Sequence, residues 1–318
     1  MKVVMKGFDP PASKLYYHWD QAMRRCGDEY ITIPNPVSYP LDDDADCYYQ
    51  TNLLKPKFMD PSRKDWLGNH LQYIQNSGRP YIVSESAVFR KYPVYKRFGW
   101  NSYKWDDGNF NNENVGSERW DKFEKKTGIV LKDWKSPGDK IVIMGQKEGD
   151  SSLTKLYDQG YNSFYDWVAE VVRTIRKYSD REIVIRPHPR NIERGINYTN
   201  KTIESLGLKG VSISKNLTLN GAAQGGKELD RDMQDAYCVI TYNSLSGVES
   251  VCEGIPTFAL DSGSMVWPVT HHDLSTIENL DNNFDMQTWK NRVAYTFWNK
   301  EEVSSGECWM HLKPVYFK

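Results

Sequence analysis

The stretch that decides the fold is Tyr237–Leu260, YCVITYNSLSGVESVCEGIPTFAL. It opens on an apolar run of strand length, Tyr237–Thr241 (YCVIT). Small polar residues follow in the turn Tyr242-Asn243-Ser244-Leu245-Ser246-Gly247-Val248-Glu249, which leads into a helix over Ser246–Cys252. Gly254-Ile255-Pro256 stops that helix, and Pro256–Leu260 (PTFAL) is apolar again. Strand, polar turn, helix and strand in this order form one unit of a parallel α/β sheet.

The same alternation extends upstream. Lys140–Gly145 (KIVIMG) and Glu182–Arg186 (EIVIR) read as strands, and Val211–Ser214 as another. Between the first two lies the clearest helix, Ser163–Tyr178. Its Phe164, Trp167, Val168, Val171, Val172 and Ile175 repeat at the spacing of one helical face. Downstream, Met286, Trp289, Val293 and Phe297 mark a late amphipathic helix. Ser136-Pro137-Gly138-Asp139 is strong turn chemistry and the best boundary in the chain. Before it comes a second alternating set, with strands at Val3–Met5, Tyr30–Pro34, Cys47–Tyr49 and Pro80–Ser84. Helices are expected over Ser13–Cys26 and from Pro61, the latter carrying Trp66, Leu67, His70, Leu71 and Ile74 on one stripe. Trp120–Lys126 has helical character, whereas Trp100–Asn114 reads as a long loop. The expectation is an α/β protein of two Rossmann-like halves facing a central cleft. Residues 1–136 form the first half, 137–299 the second, and a tail of 300–318 returns to the first.

Composition excludes several classes. With 318 residues, 39% hydrophobic and 26% charged, the chain is globular and long enough for two domains. No apolar run approaches the ~20 residues of a spanning helix, and MKVVMKGFDPP reads as a buried strand, not a signal peptide. Five scattered cysteines without paired spacing argue against a disulfide framework or a zinc knuckle, so the expected compartment is the reducing cytosol. A formal charge of −1 excludes a nonspecific nucleic-acid coat but leaves room for a local basic patch. Residues 1–135 carry 21 basic and 18 acidic side chains, a weak asymmetry against the remainder.

Three segments stand at the carboxyl ends of strands in the second half, the edge where open α/β sheets bind ligands. They are Gly145–Ser152 (GQKEGDSS), Arg186–Arg190 (RPHPR) and the Tyr242–Glu249 turn. In the turn, amides at a helix start and serine hydroxyls suit an anion. A structural alternative is a capping box, with Ser246 as cap and Glu249 returning the bond. In Arg186–Arg190, two prolines stiffen the loop and orient His188, while Arg186 and Arg190 have the fork geometry to clamp phosphate.

Together these segments resemble the nucleotide-binding half of GT-B glycosyltransferases, most of all the capsule-polysaccharide type. There a Q-x-x-x-D-S-like segment, an (R/K)-P-H-P loop and an N-S-x-x-G-x-E stretch ending in G-(I/K)-P follow in this order. The resemblance covers about residues 140–260. It implies a donor site for a nucleotide sugar, UDP-linked by expectation, with no metal and no other cofactor. Arg186, His188, Ser244, Ser246 and the Gly247 amide would face the diphosphate. Arg190 and Asn243 belong to the same set, Glu249 would sit near the ribose, and Gln146, Asp150 and Ser151 would line the first loop. Asp42-Asp43-Asp44 superficially suggests a metal motif but lies in the wrong half, so no metal is assigned. A leaving diphosphate can be stabilised without a divalent ion by helix termini, Arg and His.

The acceptor half has no signature of its own. Glu85, where the strand PYIVS ends, is the first candidate for the base that takes the acceptor proton; Asp106 and Asp107 are alternatives. Arg90, Lys91, Lys96, Arg97 and Lys104 interleave with Tyr92, Tyr95, Phe98, Trp100, Tyr103 and Trp105. Basic residues hold phosphates and rings stack on bases, which points to a DNA acceptor; a sugar platform or a surface helix whose aromatics pack inward is the alternative. The segment loosely resembles phage glycosyltransferases, in which a compact GT-B enzyme would decorate hydroxymethylated pyrimidines in DNA within the host cytoplasm. The competing expectations are a capsule or lipopolysaccharide sugar transferase, a nucleotide-sugar-binding protein without turnover, and an epimerase of the same architecture. The sequence is silent on oligomeric state.

Overall fold

The computed structural model describes residues 2–6, 14–33, 44–50, 73–190, 192–217 and 226–317. By its internal contacts the chain divides into two units, Met1–Thr127 with Lys290–Lys318, and Gly128–Trp289. Each has its own sheet.

The first unit holds strands β1 (Lys2–Lys6), β2 (Glu29–Ile33), β3 (Cys47–Gln50), β4 (Tyr81–Glu85) and β5 (Lys96–Trp100), joined from the end of the chain by β11 (Phe297–Trp298). Their order is β11-β5-β4-β3-β1-β2. The pairings among β1 to β4 are parallel, as the alternation predicts. β5 runs antiparallel to β4, and β11 antiparallel to β5. This corrects the reading of residues 84–104 as an exposed basic-aromatic surface. Only residues 86–95 separate β4 from β5, too few for the crossover helix that a parallel neighbour requires. Helices α1 (Lys14–Arg25) and α2 (Glu118–Thr127) complete this part of the unit. The core is aromatic: Trp19, Tyr49, Phe98, Trp100, Trp298 and Trp309 pack together. Trp19 meets Phe98 edge-on at 5.4 Å, the arrangement that ring quadrupoles favour.

The second unit holds β6 (Lys140–Met144), β7 (Ile183–Arg186), β8 (Val211–Ile213), β9 (Ala236–Thr241) and β10 (Thr257–Ala259), all parallel, in the order β10-β9-β6-β7-β8. The connections from β6 run to one side of the sheet and those from β9 to the other. That reversal is a topological switch point, where doubly wound sheets open a crevice. Helices α3 (Thr154–Asp158), α4 (Phe164–Ile175), α5 (Ile192–Leu206), α6 (Gly226–Gln234) and α7 (Ser246–Cys252) lie between the strands in sequence. α4 forms where the apolar stripe predicts it. Ser163 caps it by accepting the Asp166 amide at 3.1 Å, and Phe164, Val168, Val172 and Ile175 are fully buried. Each such side chain contributes roughly 1.5–3 kcal/mol by leaving water.

Residues 128–136 run against this unit. The Lys132 amide donates to Cys252 O at 3.0 Å and the Lys135 amide to Gly254 O at 2.6 Å. Gly254 has φ +74°, and a Cβ there would collide with the Asp133 carbonyl. From α8 (Met286–Ala294) the chain passes back into the first unit, adding β11, α9 (Lys300–Ser305) and α10 (Glu307–Leu312). Trp309 Nε1 donates to Asp28 at 2.7 Å, Lys313 Nζ to the same carboxylate at 2.8 Å, and Trp100 Nε1 to Leu312 O at 2.8 Å. The helix expected from Pro61 lies outside the described residues except for a last turn over residues 73–76. Asp42 and Asp43 also lie outside them, and Asp44 pairs with Lys2 at 3.2 Å.

Candidate functional site

The carboxyl edge of the five-stranded sheet gathers most of the residues singled out in the sequence. The loop after β6 can turn there only because Gly145 has no side chain. Its amide donates to Arg186 O at 2.7 Å, and a Cβ would sit 2.6 Å from that oxygen and 2.9 Å from the His188 amide. The loops after β6 and β7 are thus pressed together.

Gln146 and Asn243, 97 residues apart, close the switch point between them. Gln146 Nε2 donates to Asn243 Oδ1 at 2.7 Å, and the Asn243 amide returns a bond to Gln146 Oε1 at 3.0 Å. Asn243 Nδ2 donates to Ser152 O at 2.8 Å and to the Asp261 carboxylate that follows β10. Gln146 also reaches Ser152 Oγ at 3.2 Å. One chain of hydrogen bonds therefore ties the loops after β6, β9 and β10. Asp150 caps the short turn Ser151–Leu153, accepting the Ser152 amide at 3.1 Å and its hydroxyl at 3.0 Å, and Ser151 is buried beneath it. Behind this loop Glu148 accepts the Tyr157 hydroxyl at 2.5 Å and the Phe164 amide at 3.0 Å. Burial, then the Glu148 bond, pushes the Tyr157 phenol well up, so it stays a donor.

The Arg186–Arg190 loop divides in two. Arg186 is 6% exposed and forms an ion pair with the equally buried Asp232, with a further bond to Asn216 O at 2.8 Å. Ser214 Oγ and Asn216 Nδ2 also serve Asp232, each at 2.7 Å. Arg186 therefore does not reach toward a ligand, which corrects the sequence expectation. β7 ends with that side chain turned toward the α6 residue Asp232. His188 is half-buried at the edge, and the Arg190 amide donates to its Nδ1 at 3.1 Å. With Nδ1 accepting, the neutral ring carries its proton on Nε2. Arg190 itself is exposed.

In the turn after β9 the capping box does not form. The cap position falls on Leu245, without a side-chain bond, and Ser246 is already the first helical residue. The polar residues serve the turn instead. The Ser244 amide donates to Thr241 Oγ1 at 2.9 Å, and Ser246 Oγ donates to Ser244 Oγ at 2.9 Å. The Gly247 amide donates to Ser244 O at 2.9 Å, so it is not waiting for an anion. What this turn offers at the edge is Asn243, Ser244 and the half-buried Glu249 in the first turn of α7.

In the first unit Glu85 ends β4 and is half-buried. Its Oε1 accepts the Ser86 amide at 2.7 Å and hydroxyl at 2.9 Å, which fixes the carboxylate at the carboxyl edge of its sheet. Gln50, missed in the sequence, ends the neighbouring parallel strand. Its register partner is Val83, so by strand alternation Gln50 and Glu85 project from the same face. Gln50 is 3% exposed and both its amide atoms lack a hydrogen-bond partner. Asp106 and Asp107 are exposed in the following loop. The proposed phosphate-binding row does not survive as a row. Arg97 is 6% exposed, with its guanidinium on Ser86 O at 2.9 Å and over the Tyr103 ring at 4.9 Å. Trp100 is fully buried, and Lys104 is buried as well. Arg90 and Lys91 are exposed and Lys96 half-buried.

No family model and no curated protein matches the sequence. Among solved structures, the chain is similar to Thermosulfurimonas dismutans KpsC, beta Kdo 2,7 transferase, with TM-score 0.53 and 12% identity over 98% of this chain and 99% of that one. A second KpsC structure from the same organism, a beta Kdo 2,4 transferase, matches with TM-score 0.53 and 11% identity over 91% and 89%. At such identities the likeness is one of fold. Both units are Rossmann-like, and the chain has the GT-B architecture. Among the described residues no helix is long and apolar enough to cross a membrane.

Proposed function

We propose that the protein is a glycosyltransferase that moves a sugar from a nucleotide-linked donor to a hydroxyl of a saccharide acceptor. The observation that carries this reading is the Gln146–Asn243 pair. It joins two loops at the switch point of a fully parallel sheet, the place where such sheets take nucleotides. The shared fold with two Kdo transferases favours sugar transfer over the other chemistries that the architecture hosts.

In this mechanism the donor's diphosphate lies against the loops after β6, β7 and β9. His188 donates from Nε2 to a phosphate oxygen, and Arg190 adds charge from the same loop. Ser244 supplies a neutral hydroxyl donor, Asn243 braces the turn through its bonds to Gln146, Ser152 and Asp261, and the Asp150-capped turn shapes the wall. Donors fixed beforehand stabilise charge that develops on the leaving diphosphate without reorganising during the reaction. Glu85 is the base that takes the proton of the acceptor hydroxyl. No step requires a metal ligand.

A saccharide acceptor is preferred to DNA. The basic-aromatic segment that favoured DNA holds Arg97 and Lys104 in the interior at 6% and 4% exposure, together with Trp100 and Tyr103. A groove reading phosphates needs those charges at the surface.

The test is incubation with a panel of nucleotide sugars, alone and with saccharide or hydroxymethylated-DNA acceptors, followed by mass spectrometry of the products. Sugar added to a saccharide supports the proposal, whereas sugar added only to DNA replaces the acceptor. Tight donor binding with no product from any acceptor would make the protein a binding module.

A further inference from the structure

The first unit buries one polar side chain that its own structure does not use. Among the described residues the buried asparagine and glutamine side chains are Gln50, Asn112, Gln146 and Asn299. The last three are bonded. Asn112 Nδ2 donates to Arg292 O at 3.0 Å, Gln146 Nε2 donates to Asn243 Oδ1 at 2.7 Å, and Asn299 Oδ1 accepts the Glu302 amide at 3.0 Å. Gln50 is 3% exposed, and among the described residues neither its Nε2 nor its Oε1 has a partner.

The position of Gln50 gives that amide a use. It is the last residue of β3, at the carboxyl edge of the sheet, where Glu85 ends the neighbouring β4. Its register partner is Val83, so Glu85 lies two positions farther along the same face. By ideal strand geometry their Cα atoms are about 8 Å apart. At that spacing two side chains of this length reach one sugar ring from two sides. An unbonded buried amide costs stability through both of its polar atoms, and such a cost is kept where a function uses the group. The amide also selects the class of ligand. It has an acceptor, N–H donors and no charge, so it matches adjacent hydroxyls and gives an anion no charge-assisted bond. Both atoms are shut off from bulk water, the setting in which a ligand lacking the matching hydroxyl is penalised most.

We propose that Gln50 binds the hydroxyl next to the one that reacts on the saccharide acceptor, and so sets which sugars are accepted. Glu85 takes the proton of the reacting hydroxyl. Gln50 Oε1 accepts from the neighbouring hydroxyl, and Nε2 donates to a second oxygen of the same ring. Because the amide lies under the surface, a local shift at the end of β3 admits the sugar, and the bonds gained offset that shift. The inference rests on the transferase reading, with Glu85 as its base.

Gln50→Met, close in shape and without the amide, tests this in the full chain. Its denaturant midpoint should equal or exceed the parental one, because no hydrogen bond is lost. A clear drop would reveal a structural partner for the amide and overturn the proposal. In product assays with methyl hexosides and their monodeoxy analogues, the parent should lose about tenfold or more in kcat/KM when the hydroxyl beside the reacting one is removed. Gln50→Met should treat that pair alike, with its affinity for nucleoside diphosphate unchanged. Parental discrimination in the variant overturns the proposal. If the parent binds nucleoside diphosphate but glycosylates none of these sugars, the failure lies with the transferase reading. Saturation-transfer NMR with the same methyl hexosides then decides for Gln50 alone. A signal in the parent that Gln50→Met loses supports the proposal, and equal signals or none overturn it.

Discussion

The carboxyl edge of the second unit and the 84–104 segment of the first use polar residues in opposite ways. At the edge, Gln146, Asn243, Ser152 and Asp261 bond to one another across three loops, with Gln146 and Asp261 buried and Asn243 and Ser152 half-buried. In the segment, Arg97 is taken inside among the Tyr103 ring and the carbonyl oxygens of Ser86 and Tyr103, and Lys104 is buried as well. A polar network between loops presets a site, whereas a charge satisfied by its own backbone only holds the chain together. Charge content alone does not separate the two; the partner does. The Arg186–Arg190 loop repeats the contrast within five residues, with Arg186 spent on buried Asp232 and His188 left at the edge.

The largest expected effect breaks the interior side of this comparison. Arg186→Met leaves Asp232 buried without its cation and should cost about 3–5 kcal/mol in chemical denaturation. Near-parental stability would mean that Arg186 is available to a ligand after all. Arg97→Met orphans the Ser86 carbonyl and removes the cation over Tyr103, an expected loss of roughly 1–3 kcal/mol in the same assay. Restoring the unfolding midpoint with high salt would return Arg97 to the surface.

On the other side of the comparison, Gln146→Ala and Asn243→Ala should each destabilise modestly. A double-mutant cycle should show coupling of about 1 kcal/mol, because each variant removes the partner of the other. Strict additivity would dissolve the pair. The smallest effect concerns His311, which donates from Nε2 to Phe110 O at 3.0 Å. Burial lowers its pKa below the ordinary 6.5, the Phe110 bond opposing. Its folded form thus prefers to be neutral, so the stability it contributes is complete above pH 6.5 and is lost as the pH falls below that value. His311→Gln should flatten the stability profile on that acid side, as followed by thermal unfolding at stepped pH.

Much of the second unit was legible because β6, β7 and β9 are largely apolar runs, the first two followed by Gly145 and Pro187, and the loops begin where those runs stop. The main helix after β6 and the helix after β9 fell where the sequence placed them, whereas α5 and α6 had no counterpart in that reading. What could not be read was partnership at long range. Arg186 finds Asp232 46 residues later, and nothing near RPHPR reveals it. β5 was hidden because Arg97, Phe98, Gly99 and Trp100 are all buried, so KRFGW lacks the alternation of a half-exposed strand. Gln50 escaped notice for a different reason: one amide after three apolar residues carries no pattern, and only the register with β4 sets it beside Glu85. The capping box failed by one position, because Thr241 and Ser244 already satisfy the turn that Ser246 was expected to cap.

The central claim is that the edge around His188 and Asn243 holds the diphosphate of a nucleotide donor. Calorimetric titration of the parent and of His188→Ala with a nucleoside diphosphate tests it most directly, with unfolding midpoints measured in parallel. The account predicts one site in the parent, affinity weakened about tenfold or more in the variant through loss of a charge-bearing hydrogen bond, and equal midpoints. A variant that binds as tightly as the parent, or a parent that binds no nucleoside diphosphate, would contradict it.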